Sequence, residues 1–225
     1  MRTGLRNALL IGLTVASAPA LCADDAVPIE QEPQHRMKFS NAHVRLFDVL
    51  LPPGYISLWH SHVTDGVFVN IEPSETREEV PGAKPSDRPP RLIGQTYFTN
   101  YTKTPKVHRV SNTGTTPYHV VDAEIVTNCG GFAPVADAPG QTLILDNERV
   151  RVTRLMIGPG ETVMLHPLCG MLLAVDAGNL AIKTAGGEET IALKPAEFKW
   201  RDQGESMEIR NAGSEVFQAV DVVVK

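Results

Sequence analysis

The chain has 225 residues, of which 42% are hydrophobic and 21% are charged. This is the composition of a globular protein long enough to bury one large hydrophobic core or two small ones. The formal net charge is −5, and the sequence has no basic block and no aromatic residues interleaved with Lys and Arg, which excludes a nucleic-acid-binding surface.

The first 23 residues have the pattern of a secretory signal peptide, in which two arginines precede an apolar run that ends in small residues. We expect cleavage after Ala23, with Ala20 as the alternative, and a periplasmic or secreted mature protein. Cys22 also admits a lipoprotein signal, although Leu21 is large for the position before a lipidated cysteine. No later apolar run is long enough to anchor the mature chain in a bilayer.

The chain contains an internal repeat. Residues 41–60 align without a gap on residues 147–166, sharing Asn, Val-Arg, Pro-Gly and His at matched positions. Residues 112–126 align on residues 211–225, sharing Asn, Gly and Val-Asp. Similarity at both ends of each half indicates a duplication.

The sequence of each half predicts β-strands. Short segments rich in β-branched and aromatic residues alternate with Pro, Gly, Asn and Ser, and no long segment has a helical period. We expect two tandem barrels, over residues 24–128 and 141–225, joined by a linker over residues 129–140. The proline-rich polar segment 72–91 has no close counterpart in the second half, and we expect a solvated loop or a lid there.

Cys129 and Cys169 remain after removal of the signal peptide, in a compartment that permits disulfides. They form either one bridge or two independent buried thiols, because the sequence does not give the separation that a bridge requires.

The sequence GYISLWHSHV, residues 54–63, places two histidines at alternate positions of a predicted strand. Side chains at positions i and i+2 of a strand lie on one face, so His60 and His62 can bind one ion. His108, on a later predicted strand, offers a third imidazole. Three neutral imidazoles suit Fe(II), Mn, Ni, Cu or Zn.

The order of these residues resembles the two motifs of the cupin superfamily. Gly54 is followed after five residues by His60 and then by His62, and His108 is followed after three residues by Asn112. The duplication in turn resembles a bicupin, a chain with two cupin repeats. The resemblance implies an all-β fold of two double-stranded β-helix (jelly-roll) barrels, with His60, His62 and His108 holding one metal ion in the first.

The sequence departs from the family pattern at one position. The family commonly has a glutamate three or four residues after the second histidine, where this chain has Gly66 and Val67. Asp65 is one residue too early. It is a displaced fourth ligand, an acceptor that orients an imidazole, or a turn residue before Gly66.

The second half has lost most of the proposed ligands. His166 keeps the position of the first histidine, but Leu168 and Met207 stand where the other two would be. One imidazole beside Leu and Met is not a metal site of useful affinity. We therefore expect a degenerate second barrel with a structural role.

Two aromatic positions are candidates for lining a substrate or cofactor pocket in the first barrel. Tyr97 is one candidate, and the other is Tyr118 or His119, since only one of two successive strand residues faces the interior. His35 lies in the polar amino-terminal stretch and His43 is expected to be solvated; neither is assigned a role.

The resemblance and the ligand set together favour a cupin-type dioxygenase that uses Fe(II) to act on a small organic molecule after export. The same site with Mn, Ni or Zn would serve a non-oxidative lyase or isomerase. A non-catalytic module that binds a small molecule or a metal is the third possibility, since no general acid or base is evident beside the histidines.

Overall fold

The structure is a computed structural model, which describes residues 26–131 and 139–225. The expected signal peptide and the middle of the expected linker lie outside these residues. No helix in the described part of the chain is long and apolar enough to cross a bilayer.

Within residues 26–131 the chain forms ten strands: β1 (Val27–Pro28), β2 (His35–Ser40), β3 (Val44–Leu51), β4 (His60–His62), β5 (Gly66–Glu72), β6 (Thr76–Glu79), β7 (Ser86–Arg88), β8 (Thr96–Thr99), β9 (Lys106–Asn112) and β10 (Tyr118–Ile125). A single 3-10 turn, Ile29–Gln31, precedes β2.

The second half forms nine strands: β11 (Gln141–Asp146), β12 (Val150–Ile157), β13 (Thr162–Leu165), β14 (Gly170–Ala174), β15 (Gly178–Thr184), β16 (Gly187–Leu193), β17 (Phe198–Arg201), β18 (Met207–Asn211) and β19 (Phe217–Val224).

Both halves have the same topology of two opposed sheets. In the first half the strand orders are β2-β3-β10-β5-β8 and β1-β4-β9-β6-β7, and in the second half β11-β12-β19-β14-β17 and β13-β18-β15-β16. Each sheet of one half therefore has its counterpart in the other, as the repeat predicts. The predicted all-β fold of two jelly-roll barrels is confirmed.

Three apolar clusters explain why several strands are hydrophobic on both faces. On β3, Phe47 and Val49 point into the first barrel, while Val44 and Leu46 join a central cluster that also contains Val150 of the second half. A third cluster fills the second barrel. The central cluster lies between the two barrels, so their facing sheets are buried on both sides.

Segment 72–91 is an edge hairpin, and the expectation of a loop or lid is wrong. It forms β6 and β7, which pair with each other and extend the sheet next to β9. The hairpin of β15 and β16 occupies the same place in the second half. The charged residues and prolines that obscured the strand pattern are common at sheet edges, where they discourage further pairing.

Cys129 and Cys169 form a disulfide with a Cα–Cα distance of 6.2 Å. Of the two alternatives left open by the sequence, the bridge is the one observed. It ties the chain just after the first barrel to the segment that enters β14.

Candidate metal centre

The structure brings the three predicted histidines together inside the first barrel. His60 and His62 lie on the same face of β4, and His108 on β9 is the register partner of His60. The ring centroids are 4.6 Å apart for His60 and His108, 5.0 Å for His62 and His108, and 5.2 Å for His60 and His62. All three side chains are buried.

A fourth histidine, His35, joins this group, although the sequence gave it no role. Its ring centroid is 4.6 Å from that of His60 and 6.2 Å from that of His62. His35, His60 and His62 each offer one ligand nitrogen, and these three atoms lie within 4.8 Å of one another. His35 faces the interior because β2 pairs with β3 so that His35 is opposite Val49, an interior residue.

Three of the four rings place Nδ1 within hydrogen-bond distance of an oxygen acceptor, and Nδ1 of His62 lies near a carboxyl group without a hydrogen bond to it. The pairs are His35 with Glu32 Oε2 at 2.6 Å, His60 with the Leu58 carbonyl at 2.9 Å, His108 with Glu78 Oε1 at 2.7 Å, and His62 with Asp122 Oδ2 at 3.7 Å. When Nδ1 carries the proton, Nε2 keeps its lone pair. This is the arrangement that orients histidines as metal ligands.

Two of these acceptors are carboxylates that stay ionised despite their burial. Burial alone would raise the pKa of Glu32, but the hydrogen bond and charge of His35 lower it to about 2. Burial likewise opposes ionisation of Glu78, and the hydrogen bonds from His108 and Lys106 lower its pKa to about 2. Tyr55 adds a hydrogen bond of 2.9 Å from its hydroxyl to Glu32.

Burial holds His60, His62 and His108 in the neutral form. Burial is the main cause that lowers the pKa of His60 to about 3, and it also lowers the pKa of His62 and of His108. The Nε2 atom of His60 is buried without a hydrogen-bond partner among the described residues. Lone pairs that converge in an enclosed space are stabilised by a cation.

The distance between two of the predicted ligand atoms fits a shared transition-metal ion. The Nε2 atoms of His62 and His108 are 3.1 Å apart. Two nitrogens at about 2.1 Å from one ion, and at a right angle to each other, would be about 3.0 Å apart. The buried orphan atom of His60, the oriented rings and this separation together make the site suitable for a divalent metal.

The histidines open into a cavity of about 290 Å³. The structure places Tyr97 and Tyr118, both candidate pocket residues, in its wall. His119 does not line this cavity: as the next residue on β10 it points to the opposite face, where its Nε2 contacts Asp48 at 2.5 Å. Sequence reasoning missed Tyr101, which stacks on His62 with centroids 4.8 Å apart.

Comparison with known proteins gives the same fold. No protein-family model matches the chain, and no curated protein matches it. Among solved structures, salicylate 1,2-dioxygenase from Pseudoaminobacter salicylatoxidans, as an adduct with gentisate, aligns over 81% of this chain and 68% of its own, with 13% identity and a TM-score of 0.57.

Two further structures are similar. The YhaK protein from Escherichia coli aligns over 84% of this chain and 90% of its own, with 15% identity and a TM-score of 0.57. Oxalate decarboxylase from Bacillus subtilis, a protein with Mn(II) centres, aligns over 81% and 69%, with 10% identity and a TM-score of 0.55. The chain has the two-barrel cupin fold of a bicupin.

The second barrel is filled where the first has its cavity. Arg201 is fully buried, donates from Nε to the Leu168 carbonyl at 2.7 Å and pairs with Asp221 at 3.1 Å. By strand register Arg201 corresponds to Thr99, which lines the first cavity. The space beside His166 has a volume of only about 10 Å³, which leaves no room for a ligand.

Asp65 has a structural contact and does not bond to a histidine. Its Oδ1 accepts hydrogen bonds from the backbone N–H and the hydroxyl of Thr102, at 2.8 and 2.7 Å. Its Oδ2 is 3.3 Å from Nε of Arg149 in the second half. The carboxylate thus fixes a loop after β8 and contributes to the contact between the barrels.

Proposed function

We propose that the first barrel of this bicupin holds one divalent transition metal through His60, His62 and His108, with His35 as a fourth ligand. The observation that carries the proposal is the convergence of four imidazoles, three of which, those of His35, His60 and His108, have Nδ1 in a hydrogen bond with an oxygen acceptor. His35 occupies the role that the missing glutamate has in the family pattern.

The proposed activity is that of an exported mononuclear metal oxygenase acting on a small organic molecule, with Fe(II) as the favoured ion. A bound iron would supply Lewis acidity and one-electron redox chemistry. The chain itself fixes the tautomer of three of the ligands through hydrogen bonds at Nδ1, and it provides a small cavity with aromatic walls, which limits the access of water to the reacting groups. The fold shared with a dioxygenase is compatible with this proposal but does not determine the reaction.

Export is part of the proposal. The amino-terminal signal pattern supports it, and so does the bridge between Cys129 and Cys169, because disulfides persist mainly in oxidising compartments.

A non-oxidative lyase or isomerase is the second candidate, and Lys106 favours it. The Lys106 ammonium lines the cavity and contacts Glu78 at 2.5 Å, so a proton donor is available beside the histidines. This group was not recognised in the sequence, where no acid or base was evident.

Metal content is the first test. Wild-type protein from the exported fraction should contain about one equivalent of a transition metal, and His62→Ala should lose most of it. His166→Ala is the matched control, since it removes a half-buried histidine from the second barrel, and it should retain the metal. Equal metal in wild type and His62→Ala would refute the metal centre.

Oxygen dependence distinguishes the two activities. Protein reconstituted with Fe(II) under air should consume O₂ when small enols, phenols or organic acids are added, and His62→Ala should not. Turnover that proceeds equally well without O₂ would favour the lyase. Metal-loaded protein that binds such compounds but converts none of them would favour a binding module.

A further inference from the structure

The cavity that contains the histidines has an excess of positive charge, although the chain as a whole has a net charge of −5. The charged side chains of its wall, apart from the histidines, are Glu78, Arg88, Arg91 and Lys106. Glu78 is their one carboxylate, and it already contacts Arg88, Lys106 and His108. Cationic groups in a narrow cleft with low-dielectric walls attract and concentrate anions.

Arg91 is the cavity cation that is available to a ligand. It forms no ion pair within residues 26–131 and 139–225, whereas Arg88 and Lys106 both pair with Glu78. An unpaired guanidinium presents a fork of donors that matches the two oxygens of a carboxylate.

The position of Arg91 is fixed by stacked aromatic rings. Its guanidinium carbon lies 4.2 Å from the centroid of the Tyr97 ring. Tyr97 is in turn stacked on Phe68, with centroids 4.9 Å apart and an interplanar angle of 11°. Arg91 is only half-buried, so this contact restricts a side chain that would otherwise be mobile, and a restrained donor loses less entropy when it binds a ligand.

The remaining walls suit a small planar body. Phe68, Tyr97, Tyr101 and Tyr118 all line the cavity. Its volume of about 290 Å³ is at the lower limit of pockets that bind organic ligands, which selects a molecule of about one ring. Aromatic walls favour flat ligands through stacked and edge-to-face contacts.

We infer that the first barrel binds a small planar carboxylate, with the carboxylate paired to the Arg91 guanidinium and the apolar body among the aromatic side chains. The inference rests on the proposed function, because it names the substrate class of the same cavity. It makes Arg91 the residue that selects anionic over neutral substrates.

Benzoate and its uncharged analogue benzamide are suitable probes, with binding measured by calorimetry on Zn(II)-loaded and on EDTA-treated protein. Wild type should bind benzoate about tenfold or more tightly than benzamide, as expected for a charge-assisted hydrogen bond. Arg91→Gln should weaken benzoate binding about ten- to a hundredfold and leave benzamide unchanged. Arg91→Lys should recover part of the preference, since it keeps the charge and loses the fork.

Arg77→Gln is the matched control. Arg77 lies on the same hairpin and pairs with the exposed Asp87 rather than lining this cavity, so both probes should bind as in wild type. Unfolding of each variant in urea verifies that the fold is retained. A preference for benzoate that survives in Arg91→Gln would overturn the inference.

The two proposals fail in different ways. If the protein carries one equivalent of metal but does not bind benzoate, the carboxylate site is wrong and the metal centre stands. If Arg91-dependent benzoate binding occurs in protein that takes up no metal, the carboxylate site stands and the proposed function is wrong.

Discussion

The Nε2 atoms of His62 and His108 lie 3.1 Å apart, on two antiparallel neighbouring strands of the first barrel. Nδ1 of His108 donates to Glu78, and Nδ1 of His62 is directed at Asp122. Because Nδ1 of His62 makes no hydrogen bond with the described residues, Nε2–H of His62 can donate to the Nε2 lone pair of His108 in the metal-free chain, and a cation bound here would take the place of that proton. Glu78 thus fixes the tautomer of His108 and leaves its Nε2 lone pair facing His62, where a metal ion can bind.

Glu78→Gln should lower metal affinity about 10- to 100-fold, because the amide orients His108 less strongly and leaves Lys106 unneutralised. Glu79→Gln is the control: Glu79 is the next residue on β6, and it pairs with Arg109 away from the histidines. Zn(II) titration in competition with a chelator measures both variants. Equal losses of Zn(II) affinity in the two variants would show that any change in the hairpin weakens the site, and that the contact of Glu78 with His108 has no particular role.

His35→Ala should also weaken metal binding, and it should change the coordination of the bound ion. We expect the visible spectrum of Co(II)-substituted protein to shift, since the loss of a nitrogen ligand alters the ligand field. His43→Ala, which removes a histidine whose Nδ1 contacts the Thr127 carbonyl outside the cavity, should leave the spectrum unchanged. An unchanged spectrum and affinity in His35→Ala would restrict the centre to three histidines.

The sequence predicts the fold and three members of the histidine group because both depend on local patterns. The alternation of His60 and His62 and the repeated turn sequences are readable over a few residues. The role of His35 cannot be read from its neighbours in the sequence, because its inward orientation depends on the register between β2 and β3. The role of an isolated histidine is set by distant strands, which a single sequence does not reveal.

The acceptors behind the rings were missed for a related reason. Glu78 lies in a segment whose charges and prolines indicate a solvated loop, yet it is buried against β9. Arginine usually lies at the protein surface, so the sequence likewise gives no sign that Arg201 is buried in the second barrel. A buried charge is recognisable only when its partner is known, and for Arg201 that partner is Asp221 on another strand.

Acid should destabilise the metal-free protein through its buried histidines. The pKa of His60 is lowered from 6.5 to about 3, mainly by burial, so between these values the unfolded state binds a proton that the folded state does not. The free energy of unfolding must then fall as the pH decreases. From pH 7.5 to pH 5 this single histidine accounts for about 2 kcal/mol.

Urea unfolding of EDTA-treated protein at the two pH values measures this effect. His60→Gln should reduce the loss of stability on acidification by about 2 kcal/mol, whereas His43→Gln should leave it unchanged. Further acidification removes the contributions of Glu32 and Glu78, since the lowered pKa of each carboxyl stabilises the fold above pH 4.5 and that stability is lost toward pH 2. An identical pH dependence in wild type and His60→Gln would contradict the assignment.

Arg201→Met should destabilise the protein by about 3–5 kcal/mol, because it leaves the carboxylate of Asp221 buried without its cation. Adding Asp221→Asn to this variant should recover part of the loss, since the buried charge is then removed as well. Arg210→Met, at an exposed position of β18, is the control and should change stability by less than about 0.5 kcal/mol.

Metal content of the folded Arg201→Met protein completes this test. Because Arg201 fills the second barrel and the histidines lie in the first, the variant should still bind one equivalent of metal with wild-type affinity. Loss of metal from a variant that remains folded would show that the second barrel contributes to the site, contrary to a structural role for it.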